Sequence, residues 1–206
     1  MSAVDTSPDE GVPLLVVISG PSGVGKDTVL ERMKASDAPY HFAVTATARP
    51  KRENEVDGVD YIFVSRDEFQ DMIVNDELLE WAKVYGNLYG VPKSPVREAL
   101  ARGQDVILKI DVQGGDNIRR LVPGAVYVFL APPDMAELEQ RLTQRKTESS
   151  ETLKVRLETA AREIEEAEKY DYVVVNRTGR LDEAVEEINA IIRRERTRAG
   201  RERICI

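Results

Sequence analysis

Hydrophobic positions along this chain follow two rhythms. Short apolar runs stand at 14–19 (LLVVIS), 105–110 (DVILKI), 125–130 (AVYVFL) and 172–175 (YVVV). Between them lie stretches whose apolar residues recur every three or four positions. The short, β-branched runs predict strands buried on both faces, and the longer period predicts helices with one apolar face. Helices are expected at 29–34, 66–75, 94–102, 117–121, 135–144, 151–169 and 181–194. Phe69, Met72 and Ile73 share one face of the second helix, Pro95 sits in the first turn of the third, and Gly103 ends it. Alternating strands and helices predict a mainly parallel sheet with right-handed crossovers. Ligands in such sheets bind beyond the carboxyl ends of the strands.

The rhythm is interrupted between about 42 and 93. Asp57-Gly58 reads as a hairpin turn, followed by a strand at 61–64. Residues 78–85 read as extended, with turns at Gly86-Asn87 and Gly90. This segment behaves as an insertion between two α/β units.

Composition narrows the function. The chain has 206 residues, 42% of them hydrophobic, enough for a real core, and a net charge of −8. That charge argues against general nucleic-acid binding. A single cysteine, Cys205, excludes an internal disulfide and points to a reduced, cytoplasmic setting. No apolar run approaches the ~20 residues of a membrane span. Residues 1–13 lack the basic start and apolar stretch of a signal peptide and read as a disordered lead. The tail at 193–206 is basic and is expected to be solvated or frayed.

The strongest chemical signal is GPSGVGKDT at 20–28, between a predicted strand and a predicted helix. That context is the one a phosphate-binding loop requires. Gly20, Gly23 and Gly25, with Pro21, Ser22 and Val24 between them, let backbone N–H groups curl around an anion. Lys26 supplies a mobile charge for the outer phosphates, and the helix start adds its partial positive charge. Asp27 stands where Ser or Thr usually follows the lysine, and the hydroxyl comes one residue later, at Thr28. Thr28 and Asp27 are the candidates for Mg²⁺. Asp27 either serves the metal or points away and complements the helix dipole.

In the insertion, Arg49 and Arg52 are followed by Glu55, Tyr61, Glu80 and Tyr89. Arginine forks match phosphate oxygens, and tyrosine hydroxyls can join them. Taken alone, the two arginines read first as a solvated, charged loop.

Set together, these stretches resemble guanylate kinase over about 14–192. The landmarks are the loop at 20–28, T-x-T-x-R-x-x-R-x-x-E at 45–55, VDGVDYIFV at 56–64, Glu80-Trp81, GNLYG at 86–90, IDVQG at 110–114, APP at 131–133 and VVVN at 173–176. The resemblance implies a P-loop kinase core (14–41, 94–133 and 163–192), a GMP-binding subdomain (42–93) and a helical lid (134–162). Both smaller segments are expected to swing in over the substrates. It implies phosphoryl transfer from ATP to GMP with Mg²⁺, dGMP being open as a second acceptor. By match, Arg49, Arg52, Glu55, Tyr61 and Tyr89 look like contacts for the GMP phosphate end. Thr45 and Glu80 look like guanine readers, with Asp111 beside them. A carboxylate accepts both donors on guanine's edge, N1–H and the 2-amino group, which adenine does not present. Arg141, Arg145 and Arg156 match the lid arginines, and Asn176 matches a position near adenine.

Four positions depart from the family pattern. They are Asp27, Val91 in place of a hydroxyl residue, Lys109 at a site that is often acidic, and QRKT at 144–147 in the lid. His41, the single histidine, reads as structural. Two alternatives stay open: a non-catalytic binding module of the same fold, and a same-fold kinase for another phosphorylated acceptor.

Overall fold

The apolar runs form the strands expected of them in a computed structural model of the chain, which describes residues 11–36, 38–84, 86–143 and 150–206. Five parallel strands make the central sheet: β1 (Leu15–Ser19), β2 (His41–Phe42), β7 (Val106–Lys109), β8 (Val126–Ala131) and β9 (Tyr172–Val175), in the order β2-β7-β1-β8-β9. A second, four-stranded sheet holds β3 (Ala46–Thr47), β4 (Ile62–Phe63), β5 (Leu78–Val84) and β6 (Asn87–Pro92), in the order β4-β3-β6-β5. The helices are α1 (Lys26–Lys34), α2 (Arg66–Val74), α3 (Lys93–Ala101), α4 (Val112–Leu121), α5 (Met135–Thr143), α6 (Ser150–Glu165) and α7 (Leu181–Arg196). A 3₁₀ turn, Glu166–Lys169, follows α6.

The period of two in β1 sorts its side chains between two cores. Val16 and Ile18 pack with α1 and α7, and Leu15 and Val17 pack with α3 and α4. Each leucine or isoleucine withdrawn fully from water contributes about 1.5–3 kcal/mol. A smaller core of Ala46, Phe69 and Leu78 seats α2 on the second sheet, using the predicted face with Met72 and Ile73. Leu138, Leu142 and Ala160 join α5 to α6. No helix among the described residues is long and apolar enough to cross a membrane.

The structure departs from the sequence expectations in several places. Gly58 does turn the chain, with φ at 76°, but β3 and β4 pair in parallel, so the turn joins no hairpin. Tyr61 and Val64 fall outside the short β4. Helix α1 begins three residues early, at Lys26. Helix α4 begins five residues early because the Asp111 carboxylate caps it, accepting the Gly114 N–H at 2.6 Å. Phe42 belongs to the central sheet rather than to the insertion.

The tail does not fray but folds back on the core, while most of its side chains stay exposed to solvent. Helix α7 continues to Arg196, and Ile204 and Ile206 pack on the second core. Buried Glu195 anchors the fold-back: it accepts the Tyr172 hydroxyl at 2.5 Å and pairs with Arg201 and Arg198. Two of the tail's basic residues, Arg198 and Arg201, are thus paired with an acid the helix buries.

Candidate active site

The loop at 20–28 leaves the carboxyl end of β1 and enters α1. Gly25 precedes the helix with φ at 98°, and a Cβ there would lie 2.7 Å from the Asn176 amide nitrogen. Only glycine takes that conformation in that space without strain. No side chain caps α1, so the N–H groups of its first turn face outward, as an anion site requires.

Every described cation beside this loop is bonded to the loop itself. The Lys26 ammonium donates to the carbonyls of Gly20 at 2.5 Å and Pro21 at 3.2 Å. Burial lowers its pKa, against the pull of Glu163, Asp27 and Asp111. Arg141 donates to the Val24 carbonyl at 2.8 Å and the Asn176 carbonyl at 2.7 Å, and also pairs with Glu137. Asn176 donates its own amide to the Val24 carbonyl at 2.8 Å. Buried Arg156 reaches the Ser22 hydroxyl at 2.8 Å. Glu163 accepts the Ser22 N–H at 3.1 Å, and burial raises its pKa. No motif marked Glu163, one of several acids along α6. Arg145 and the rest of 144–147 lie outside the described residues.

Across the cleft the polar groups are differently arranged. Arg49 is buried at 8% exposure and grips Glu55 with both ends of its fork, at 2.8 and 2.5 Å. That grip raises the arginine further and holds the Glu55 carboxyl down to about 2. The Arg49 guanidinium lies 4.8 Å from the centre of the Tyr61 ring, and the Tyr61 and Tyr89 rings are 6.0 Å apart. Arg52 faces the same side and donates its backbone N–H to Glu55 at 2.8 Å.

A cleft of about 190 Å³ opens between the two sheets, lined by Lys26, Asp27, Thr45, Tyr61, Glu80, Tyr89, Lys109 and Asp111 among others. Glu80 lies on β5 with only 7% of its surface exposed, and its Oε2 has no hydrogen-bond partner. Burial, and then the Asp111 carboxylate, push its pKa up to about 7, against a hydrogen bond from Asn117. A Cβ on Gly114 would stand 3.1–3.2 Å from the Glu80 carboxyl group. Gly114 therefore makes the room that Glu80 occupies. Sequence reading quoted this glycine within a motif but gave it no task, and missed Asn117 altogether. Val91 packs in the second core, opposite Glu80 in the β5–β6 register.

Asp27 lies in the first turn of α1, where an acid complements the helix dipole, and it also has a partner the sequence did not suggest. Its carboxylate accepts the Lys109 ammonium at 2.5 Å. Burial pulls Lys109 down, but Asp27, Tyr61 and Asp60 outweigh it, and its pKa stands above the ordinary lysine value. Two of the positions that depart from the family pattern thus meet on the central-sheet side of the cleft.

Such a site can hold one phosphate chain on a glycine loop and a second phosphate near Arg49. It can also present a carboxylate to a donor-rich edge. Comparison with known proteins points the same way. The family model described as guanylate kinase matches residues 13–195. A guanylate kinase of Carboxydothermus hydrogenoformans is 45% identical over 91% of this chain and 91% of its own length. One of Symbiobacterium thermophilum is 47% identical over 94% of this chain and 91% of its own. The crystal structure of guanylate kinase from Anaplasma phagocytophilum superposes with a TM-score of 0.77 at 34% identity, covering 93% of this chain and 90% of that one.

Proposed function

This chain belongs to the guanylate kinase family and transfers a phosphoryl group from ATP to GMP; we propose that the residues of its cleft divide that work as follows. The loop at 20–28 and the start of α1 hold the donor phosphates, and Lys26 leaves the Gly20 and Pro21 carbonyls to follow the transferring group. Arg141 and Asn176 keep the loop in shape from the adenine side, and Arg156 and Arg145 cover it from the lid. Arg49, Arg52, Tyr61 and Tyr89 receive the acceptor's phosphate, with Glu55 holding Arg49 in position. Thr45 and Glu80 read guanine, with Asp111 at the pocket wall.

The observation that carries the base assignment is the Glu80 carboxyl group, buried at the foot of the cleft with one oxygen unpartnered. A buried acceptor without a donor costs about 1–3 kcal/mol. Guanine's N1–H and 2-amino group supply two donors. Adenine supplies neither there and leaves the cost in place, and mismatch of this kind can reject a wrong substrate by about 10⁴-fold.

Transfer of this kind rests on positioning and charge rather than on a histidine base. Accordingly His41 lies on β2, at the edge of the central sheet. Among the described residues no cluster of three His, Cys, Asp or Glu side chains offers a ready-made metal cage. Mg²⁺ needs none, since it keeps several waters and takes one or two protein oxygens plus substrate phosphates. Thr28, exposed beside the loop, fits that part, and Asp27 is a second candidate whose carboxylate is engaged by Lys109. When bound, the ion offsets charge on the phosphate oxygens.

The core with Phe42, the acceptor subdomain that follows it to residue 93 and the lid at 134–162 work as separate bodies in this reading. We assign the protein to the cytoplasm, where ATP, GMP and dGMP are at hand. A coupled ADP-release assay with GMP, dGMP, AMP, UMP and CMP tests the acceptor. GMP is expected to be used at least ~10³-fold more efficiently than AMP; equal use of AMP or UMP would remove the guanine assignment.

A further inference from the structure

The pairing of Asp27 with Lys109 carries an inference that rests on the acceptor reading above and goes beyond it. Lys109 is the last residue of β7, and Asp27 lies in the first turn of α1 beside Lys26. Their ion pair joins elements whose positions are already fixed, because β1 and β7 pair over four residues and α1 packs on the core. As a staple it adds little. An ion pair with one partner well exposed contributes about 0–1 kcal/mol, and the Asp27 side chain is 68% exposed. Lys109 is the more enclosed partner, at 26%.

What surrounds the ammonium is more telling. It lies 5.5 Å from the centre of the Tyr61 ring, the ring that also carries Arg49 at 4.8 Å. It lines both the cleft with Thr45 and Glu80 and the adjoining recess with Arg52. Lys109 thus stands between the donor loop and the cluster read as receiving the acceptor's phosphate. An ammonium is a compact point charge with three donors, suited to an oxyanion approached from one side. A phosphomonoester dianion in this recess offers it more charge than a single carboxylate that water already screens.

We propose that Lys109 is a further cation for the phosphate of the acceptor nucleotide, and that Asp27 is the counter-charge that holds it at the start of α1 while no nucleotide is bound. On binding, Lys109 exchanges Asp27 for phosphate oxygens. Asp27 is then a competitor for Lys109, and removing it favours the nucleotide.

The test is calorimetric titration of the full chain with GMP and with guanosine, without ATP. Lys109→Met is expected to weaken GMP binding by about 10–100-fold, as for a lost charge-assisted hydrogen bond, and to leave guanosine unchanged. Lys109→Arg should restore most of the GMP affinity. Asp27→Asn should bind GMP at least as tightly as the wild type. Thermal unfolding checks that each variant is folded, and Lys109→Gln replaces Lys109→Met if that one is not. The inference is overturned if Lys109→Met binds GMP normally, or loses GMP and guanosine alike. It is equally overturned if Asp27→Asn weakens GMP as much as Lys109→Met, for then the pair is a staple. Wild-type protein that binds neither ligand would overturn the acceptor reading as well, whereas normal GMP binding by Lys109→Met overturns this inference alone.

Discussion

The two walls of the cleft are prepared for their ligands in opposite ways. On the donor wall the cations are bonded to the loop they serve: Lys26 rests on the carbonyls of Gly20 and Pro21, Arg141 on that of Val24, and Arg156 on the Ser22 hydroxyl. On the acceptor wall Glu80 is buried with an oxygen unpartnered and its pKa pushed up to about 7. The first wall keeps its shape by bonding to itself and exchanges those bonds for phosphate. The second holds a group at a cost, and the right base removes the cost. Affinity for a phosphate chain needs the former, because any nucleotide brings the same oxygens. Choice between bases needs the latter, because only an unsatisfied group penalises the wrong partner.

The largest effect is expected on the donor wall. Lys26→Ala removes a charge that follows the transferring phosphoryl group, and the turnover rate should fall by about 10²–10³-fold. A loss confined to KM for ATP, with the maximal rate kept, would mean that Lys26 only holds the ground state.

Glu80→Gln tests the other wall. It places an amide donor against guanine's donors, and kcat/KM for GMP should drop by roughly 10–10³-fold with little change in ATP affinity. Stability should move in a defined direction too. The Glu80 carboxyl titrates near 7 when folded and near 4.5 when unfolded, so the folded state binds its proton more tightly. This group therefore takes nothing from stability below about 4.5. It lowers stability as pH rises from 4.5 to 7, and takes no more above that, about 3 kcal/mol in all. Denaturant unfolding at pH 5 and 8 should show Glu80→Gln gaining on the wild type as pH rises. A constant difference between the two proteins would mean that the carboxyl is not held neutral.

The smallest effect sharpens the comparison without touching either ligand. Gly114→Ala sets a methyl group 3.1–3.2 Å from the Glu80 carboxyl, so that one of them must shift. KM for GMP should rise several-fold, as for a contact tighter by a few tenths of an ångström at a positioned group, while KM for ATP stays. Equal rises in both would place the strain in β5 and α4 at large.

Much of this was legible in the chain. The strands of the central sheet announced themselves because a strand buried on both faces must be apolar throughout, as 14–19 and 125–130 are. The glycine loop did so because its chemistry is local: a turn, an anion and a helix start fit within nine residues. The short strands β3 and β4 were illegible in their pairing, since two-residue strands carry no period. Asp57-Gly58 promised a hairpin where the partners proved parallel. The basic tail misled for a related reason. Its fold-back is anchored by Glu195, which pairs with Arg198 and Arg201 and looks like any other acid on α7 until the fold buries it.

The sequence by itself determined the family and the long strands and helices of the core, because each of these rests on neighbours in the chain; it read Asn87 and Gly90 as turns where β6 runs, and it left β2 and β3 unmarked. Tertiary structure alone decided which groups answer one another. Glu80 is raised because the packing that buries it, and then the Asp111 carboxylate, stand on other elements, and Gly114 matters because α4 crosses β5 within reach of its missing methyl. Asp27 and Lys109, 82 positions apart, are single oddities in the sequence and become one ion pair when β7 lies beside β1. Burial and long-range charge are properties of the space around a residue, and no local reading of the chain contains that space.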